Sequence, residues 1–164
     1  SRTRASDMDC REYRALYPEL TAYPLPSGTW DDPQWDAWMG HRLACVGCSD
    51  WSMAEEVAKR GHDVASFPCV HLAHQLTHAC AQHEHAADCP DVVIAYDPRF
   101  DEYFIRTDSV RVNISHCPWC GRRLPESKRD LWFEELERLG FERPLEQDIP
   151  AAFRSGEWRR ARSS

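Results

Sequence analysis

The residues best suited to chemistry are the eight cysteines, which gather in two stretches, residues 10–48 and 69–120. Each stretch contains a C-x-x-C pair with histidines nearby, and in a cytosolic protein this pattern favours metal binding over disulfide formation. Thiolate and imidazole are ligands that zinc prefers, and structural zinc sites take four of them. The sequence therefore predicts zinc sites whose role is to hold the fold.

The first predicted site rests on the spacing H-x3-C-x2-C. His41 and Cys45 lie four residues apart, which places them on one face of a helix, and the C-x-x-C turn brings Cys48 back towards them. Cys10 is the expected fourth ligand, with His62 in reserve. A redox-active C-x-x-C normally begins a helix after a strand, whereas here a helix is expected to precede the pair. The alternative is a buried histidine beside two free thiols.

The second predicted site contains Cys117 and Cys120 in the turn CPWCG, which has the pattern of a zinc knuckle. Backbone N–H groups in such a turn can point at each thiolate, and Gly121 permits the tight return of the chain. For the remaining ligands we favour Cys80 and His83, which are spaced as C-x2-H at the end of a predicted helix. The alternative for the turn itself is a redox pair or two free thiols.

Further donors leave two other arrangements open. In one, Cys89 replaces His83, but Cys89 precedes the first predicted strand and Cys117 follows the third, so they should lie at opposite ends of the sheet. In the other, Cys69 and His71 join the knuckle, which leaves four donors for a further ion: Cys80, His83, His85 and Cys89. The favoured arrangement predicts two zinc ions per chain, with these ligands: Cys10, His41, Cys45, Cys48, Cys80, His83, Cys117 and Cys120.

The elements that must position these residues follow from apolar periodicity and turn signals. In the first stretch we predict a short helix over residues 11–16, a helix capped by Asp31 or Asp32, and a helix over 52–65 that Gly61 can stop. In the second stretch we predict a helix over 70–81, strands over 92–96, 103–105 and 110–114 with turns at Asp97-Pro98 and Thr107-Asp108, and an amphipathic helix over 125–139.

The predicted fold class is therefore α+β, with two modules. Residues 1–66 would form a helical zinc-bound module, and residues 67–164 would form a three-stranded antiparallel sheet with a zinc knuckle and a C-terminal helix. Modules of this size bury little apolar surface, and a structural metal is a common way for such modules to gain stability.

The charge balance indicates the kind of partner. The formal net charge is −7, and the only basic cluster is at residues 158–162, so we expect no nucleic-acid binding, which needs clustered Lys and Arg. A protein partner with a basic surface is more compatible with this charge. No stretch approaches the ~18 apolar residues of a membrane span, and no apolar signal segment is present. The expected location is the cytoplasm.

Two resemblances extend these predictions. Residues 9–12, Asp-Cys-Arg-Glu, together with the H-x3-C-x2-C of His41, Cys45 and Cys48, resemble the zinc-binding anti-sigma factor domain over residues 8–60. Residues 69–158 resemble a family of small uncharacterised bacterial proteins. The motifs that carry the second resemblance are Cys80-x2-His83, Cys89-Pro90-Asp91, FDEY at 100–103, CPWCG at 117–121 and LPESKRD-x-WF at 124–133. This second resemblance implies the fold and no reaction.

Catalysis is not expected. His71, His74 and His78 share one face of a predicted helix, but Gln75 breaks the H-E-x-x-H signature, so a polar helix face explains them. The paired acids of residues 100–103 lie in a predicted hairpin, where solvation in the turn explains them. We therefore expect a non-enzymatic, zinc-stabilised protein-binding regulator, and the first resemblance implies an anti-sigma-like inhibitor. The alternative is an immunity protein that neutralises a bacterial toxin by direct binding.

The acids on the C-terminal helix are the expected partner contacts. Glu134, Glu135 and Glu137 lie on or near its polar face, opposite Leu131 and Leu136. The alternative is that these acids only solvate a surface helix.

Overall fold

The chain divides into two compact units, with the boundary between Val64 and Ala65. The computed structural model describes residues 8–107 and 109–160. Asp108 of the second predicted turn and residues 161 and 162 of the basic cluster lie outside the described residues. No helix in the described ranges is both long enough and apolar enough to cross a membrane.

The first unit is built from three helices, α1 (Cys10–Leu20), α2 (Pro33–Ala44) and α3 (Val46–Lys59). A reciprocal capping box starts α1, because the Asp9 side chain accepts from the N–H of Glu12 while the Glu12 carboxylate accepts from the N–H of Asp9. Asp32, one of the two cap candidates from the sequence, caps α2 by accepting from the N–H of Gln34 at 2.8 Å. A short 3-10 helix, Thr29–Asp31, lies between α1 and α2, and another, Val64–Ser66, lies across the boundary between the two units in the chain.

The core of the first unit is small and aromatic. The rings of Tyr13 and Trp38 stack with centroids 5.0 Å apart, and Trp38 Nε1 donates to the carbonyl of Tyr13. The Tyr13 hydroxyl in turn donates to Ser52 Oγ of α3 at 3.1 Å. The buried cluster consists of Tyr13, Tyr17, Leu20, Trp38 and Cys48. Cys48 brings a thiol into this core, so a substitution there would change both the packing of the unit and the donors available to a metal.

The second unit centres on an antiparallel meander of β1 (Ile94–Asp97), β2 (Glu102–Arg106) and β3 (Arg111–Ile114), in the order β1-β2-β3. The register pairs Tyr96 with Tyr103 and Tyr103 with Ile114. The short helix α4 (Val70–Leu76) packs on β1, where the side-chain oxygen of Gln75 accepts from the N–H of Val93 at 2.8 Å. Leu72, Ile94, Tyr103, Cys117 and Leu124 form the core under this helix.

The C-terminal part of the second unit forms another core with helix α5 (Arg129–Arg138) and the short helix α6 (Glu157–Arg160). The indole N–H of Trp158 donates to the carbonyl of Arg99 in the turn between β1 and β2. The chain after α5 therefore packs back on the meander. The buried side chains here are Phe100, Trp132, Leu136, Ile149 and Trp158.

The α+β fold class and the three-stranded meander are confirmed, but several predicted helix bounds are wrong. The helix predicted over 70–81 ends at Leu76, where Thr77 donates its hydroxyl to the carbonyl of Ala73. The helix predicted over 125–139 begins at Arg129, because the preceding residues bond to the meander instead: the N–H of Lys128 donates to the carbonyl of Phe100. The helix predicted over 52–65 spans Val46–Lys59.

Glu102 corrects the expectation that the acids of residues 100–103 are only solvated in a turn. Its side chain is 4% exposed and accepts hydrogen bonds from Arg129 Nε at 2.9 Å and from Ser127 Oγ at 2.7 Å. Asp97, also buried, accepts from Arg99 and Arg111. This paired-charge cluster ties the meander to the segment that leads into α5, so it has a structural explanation.

The cluster predicts acid sensitivity. Burial by itself would raise the pKa of Glu102, but the hydrogen bonds from Arg129 and Ser127 outweigh it and hold the pKa below its ordinary value of 4.5. A lowered folded-state pKa contributes stability that is present above the unfolded-state value and is lost as pH falls through the folded-state value. We expect Glu102→Gln to lower the free energy of unfolding by about 2–3 kcal/mol at pH 7.

This cost should shrink as pH falls below 4.5, because the parent carboxylate is protonated first in the unfolded state and then, at its lower folded-state pKa, in the native state. Urea unfolding of both proteins across pH 3–7 measures the difference, and any acid-driven loss of metal is common to both. A cost that stays constant over the whole range would show that the charge of Glu102 contributes nothing.

Candidate metal centres

Three groups of cysteine and histidine side chains come together in the described parts of the chain. In each group, the donor atoms all lie within 4.8 Å of one another. The first cluster belongs to the first unit and consists of Cys10, His41, Cys45 and Cys48. The second and third clusters belong to the second unit. The second consists of Cys69, His71, Cys117 and Cys120, and the third of His78, Cys80 and Cys89.

The first cluster draws one or two donors from each helix of its unit. Cys10 is the first residue of α1, His41 lies in the last turn of α2, and Cys45 and Cys48 lie at the start of α3. The sulfurs of Cys10 and Cys45 are 3.8 Å apart. Two sulfurs bound 2.3 Å from one tetrahedral zinc are separated by about 3.8 Å, so the spacing already suits a shared ion.

The environment of these four donors also suits a metal. His41 Nε2 is buried and has no hydrogen-bond partner among the described residues, which is the state of an imidazole nitrogen kept for a metal. Hydrogen bonds from the backbone N–H of Cys48 and from Cys10 lower the pKa of Cys45, and they would stabilise its thiolate. Burial raises the pKa of Cys48 to about 11, so without a cation this thiol stays protonated.

The position of the C-x-x-C pair in the first cluster differs from the sequence expectation in one respect. Cys45 is the N-cap residue of α3, so the pair begins a helix, although α2 precedes it as expected. His62, the reserve ligand, belongs to none of the three clusters. The four predicted donors of this site are the ones that the fold brings together.

The second cluster joins the start of α4 to the knuckle turn. Cys69 is the N-cap residue of α4, and the ring of His71 stacks on that of Trp119 at 6.0 Å. In the turn, the N–H of Gly121 donates to the carbonyl of Cys117 at 2.9 Å, and Gly121 adopts a φ of 68°, a left-handed value that favours glycine. The pKa of Cys120 is lowered, mainly by a hydrogen bond from the N–H of Arg122.

Burial has the opposite effect on the other side of this cluster, where it raises the pKa of Cys69 to about 12. Cys117 is 2% exposed and belongs to the core under α4. A cation is therefore the group that would allow Cys69 to bind as a thiolate, since metal binding displaces the thiol proton.

The predicted pairing of Cys80 and His83 with Cys117 and Cys120 is not the arrangement that the structure shows. The start of α4, and not its end, faces the knuckle, so Cys69 and His71 take the two remaining places. This is one of the alternatives that the sequence left open. The predicted helix was too long, and its C-x2-H pair lies in the loop beyond the true end of α4 at Leu76.

The third cluster occupies that loop. His78 Nε2 lies 3.4 Å from Cys89 Sγ, and Cys80 Sγ lies 3.0 Å from His83 Nδ1. The contact with His83 is the largest cause of the lowered pKa of Cys80, which is about 7. His85 is exposed and is not part of the cluster. Cys89 and Cys117 belong to different clusters, in agreement with the opposite sheet ends expected from the meander.

His78 was not anticipated among the ligands of a structural site. His71 and His78 were expected to share a polar helix face with His74, but α4 ends before His78, and the two belong to different clusters. Cys69 and His71 were proposed as ligands only in the alternative arrangement that joins them to the knuckle.

A family model described as a domain of unknown function (DUF6980) matches residues 66–161. The chain belongs to the DUF6980 family. The DUF6980 domain contains the second and third clusters, whereas the first cluster lies outside the match. An anti-sigma domain is not among the family models that match. Neither a curated protein nor a solved structure matches this chain.

The donor sets define the chemistry that the clusters can support. The first cluster, in the first unit, and the second cluster, in the DUF6980 domain, each offer three sulfurs and one imidazole. Four such donors fill a tetrahedral coordination shell, as in structural zinc sites, whereas catalytic zinc sites keep one position for water or substrate. These two clusters therefore fit a metal that holds chain segments together.

Proposed function

We propose that the protein is a non-enzymatic, zinc-stabilised regulator that acts by binding another protein. The observation that carries this proposal is the pair of four-donor clusters, which supply a full tetrahedral shell in each unit. A zinc ion with four protein ligands has no open position at which to activate water. A screen for hydrolysis before and after chelation tests the enzymatic alternative, and chelator-sensitive turnover would contradict the proposal.

Zinc is the proposed metal because three thiolates and one imidazole form a soft set of donors that suits it. We expect about two tightly held zinc ions per chain in protein purified without added metal, one in each four-donor cluster. Elemental analysis of the reduced, dialysed protein measures the ratio. A ratio near zero, with all thiols reacting freely, would overturn the zinc proposal.

An anti-sigma-like inhibitor is the specific form of regulator that we propose. Its support is the first cluster, in which the H-x3-C-x2-C segment and Cys10 converge as the resemblance implies. The partner would then be a transcription factor with a basic surface, because the chain carries a net charge of −7. Pull-down with the intact, metal-loaded chain from native lysate, followed by identification of the bound protein, tests this assignment.

The exposed acids of α5 are the proposed contacts of the partner. Glu134 and Glu137 are exposed, whereas Glu135 is mostly buried and paired with Arg138 at 2.7 Å. The sequence had grouped Glu135 with the other two, and its pairing removes it from the proposed contact. Carboxylates that steer a basic partner raise the rate of association, and salt screens this effect.

Charge reversal on α5 is expected to slow binding. With Glu134→Lys and Glu137→Lys together, the association rate constant should fall by about 10-fold or more at low salt, while zinc content and thermal stability stay unchanged. Surface plasmon resonance at several ionic strengths measures the rate, and the parent should lose its advantage above ~0.15 M salt, where the Debye length is ~8 Å.

The matched control reverses Glu142 and Glu146 to lysine, which changes the net charge equally on exposed residues outside α5. If this control slows association as much as the α5 variant does, net charge and not α5 determines the rate. Full-rate binding by the α5 variant would place the interface elsewhere.

An immunity protein that neutralises a toxin is the second candidate. The observation that favours it is that α5, with exposed Glu134 and Glu137, lies inside the DUF6980 domain and not in the unit that carries the anti-sigma-like motif. A toxin gene beside the coding gene would support this candidate, and a sigma-factor gene would support the first. Protection of cells that express the neighbouring toxin is the direct test.

A further inference from the structure

The loop between α4 and β1 contains donors that neither four-donor cluster uses. His78, Cys80 and Cys89 have donor atoms within 4.8 Å of one another, although the first and the last are eleven positions apart in the sequence. Cys89 is 2% exposed, so one of the three donors of this cluster is buried. Three convergent donors of these types form an incomplete tetrahedral shell, because structural zinc takes four.

His83 is the nearest candidate for the fourth donor, although it lies outside the group of three whose donor atoms all converge within 4.8 Å. Its Nδ1 is 3.0 Å from Cys80 Sγ, and an isolated antiparallel bridge pairs the backbones of these two residues across a tight turn. A sulfur and a nitrogen bound to one tetrahedral zinc are about 3.5 Å apart. The observed contact of 3.4 Å for Cys89 with His78 lies close to that value, and the contact of 3.0 Å for Cys80 with His83 is shorter.

We propose that His78, Cys80, His83 and Cys89 bind a third divalent cation of the zinc class, separate from the two ions of the four-donor clusters. The site has two thiolates and two imidazoles, one of the common ligand sets of structural zinc. Its ion closes the loop that connects α4 to the meander.

The surrounding fold restrains Cys89 more firmly than it restrains Cys80 and His83. Cys89 is fixed by the sheet, because Arg106 Nη1 of β2 donates to the carbonyl of Cys89 at 3.1 Å and to that of Val92 at 2.8 Å. Cys80 and His83 lie in a partly exposed turn beyond the end of α4. The cation therefore ties this turn to the framework, and its affinity should be lower than that of the second cluster, where Cys117 belongs to a core.

Competition for Zn²⁺ tests the site in the full-length protein. The reduced protein is saturated with Zn²⁺ and then challenged with chromophoric chelators of increasing strength, which count the ions released at each step. We expect about three ions at saturation, with one released before the other two. In His83→Ala the affinity for that ion should fall by at least about 10-fold, since loss of outer-shell partners alone costs 10–100-fold.

His85→Ala is the matched control, because His85 is an exposed histidine two residues away and outside the cluster. It should release all ions as the parent does. Near-UV circular dichroism of His83→Ala should match the parent, which separates loss of the ion from loss of the fold. Asp91 Oδ2 lies 3.9 Å from Cys89 Sγ and is the competing donor, so Asp91→Asn forms the third arm.

Two results would overturn the proposal. Saturation at two ions in the parent and in every variant would show that this loop binds no metal, while the two structural sites would remain intact. Normal release by His83→Ala with early release by Asp91→Asn would assign the fourth position to the carboxylate. A parent that holds no zinc at all would instead remove the proposed function, so the two failures are distinguishable.

Discussion

Replacing Cys117 with serine is expected to remove most of the stability of the DUF6980 domain. Cys117 is 2% exposed and serves both the second cluster and the core under α4. Structural zinc contributes about 10–16 kcal/mol of binding free energy in small domains, and folding depends on it there. We expect the free energy of unfolding to fall by more than about 4 kcal/mol, and zinc content to fall by at least about one ion per chain.

Thermal and urea unfolding, together with elemental analysis, measure the effect of Cys117→Ser. Ser115→Ala serves as the control on the same segment, since Ser115 is exposed and a surface change there should stay within roughly 0.5 kcal/mol. In chelator-treated protein, the further cost of Cys117→Ser should shrink to about 1 kcal/mol, because no metal remains to be lost. Unchanged unfolding with full zinc content would mean that the second cluster does not bind the ion.

The first cluster could be predicted from sequence because its information is local. His41, Cys45 and Cys48 are close in sequence, and one short motif fixes their relative positions. The only long-range choice was Cys10, and the first stretch offered few competing donors. The capping box of Asp9 and Glu12 that begins α1 next to Cys10 was not predicted.

The second cluster could not be assigned in the same way because it depends on tertiary docking. The CPWCG turn was recognised, but either end of α4 could in principle meet it. The choice of Cys69 and His71 over Cys80 and His83 depends on the packing of α4 on β1, with Gln75 bonded to the start of the strand. Residue spacing gives no information on how α4 packs on the sheet. In addition, the predicted helix was too long, so the C-x2-H pair was placed on the helix and not in the loop that follows it.

Glu102 shows that the burial of a charged side chain is equally hard to predict from local sequence. Its place in a predicted hairpin suggested a solvated acid, but burial depends on partners from distant segments. Arg129 and Ser127, more than twenty residues further along the chain, supply the hydrogen bonds that permit a carboxylate to be buried there. The strands were readable from local runs of β-branched and aromatic residues and, in the third strand, from local alternation, whereas the pairing of buried charges was not.

Cys48→Ser is expected to unfold the first unit while the DUF6980 domain keeps its structure. Cys48 is 1% exposed and belongs to a small cluster of five buried side chains among the described residues of the first unit. Helices α1, α2 and α3 contain 11, 12 and 14 residues, lengths at which isolated helices are marginal in water. Without the metal, this core is too small to offset the conformational entropy of the chain.

Hydrogen exchange of backbone amides, followed by mass spectrometry of peptides, measures each unit separately in the full chain. Peptides from α1 and α2 should exchange about 10³-fold faster or more in Cys48→Ser, which corresponds to the loss of about 4 kcal/mol of protection at tenfold per 1.4 kcal/mol. Peptides from β1 to β3 should exchange as in the parent, because their protection depends on cores in the second unit.

His62→Ala is the matched control for Cys48→Ser, because His62 is an exposed potential ligand of the same unit that lies outside the first cluster. Its α1 and α2 peptides should keep parental exchange rates, and its zinc content should not change. If Cys48→Ser retains protection in α1 together with its zinc, the first unit does not depend on this ligand. Faster exchange in both variants would instead assign a ligand role to His62, against the geometry of the four convergent donors.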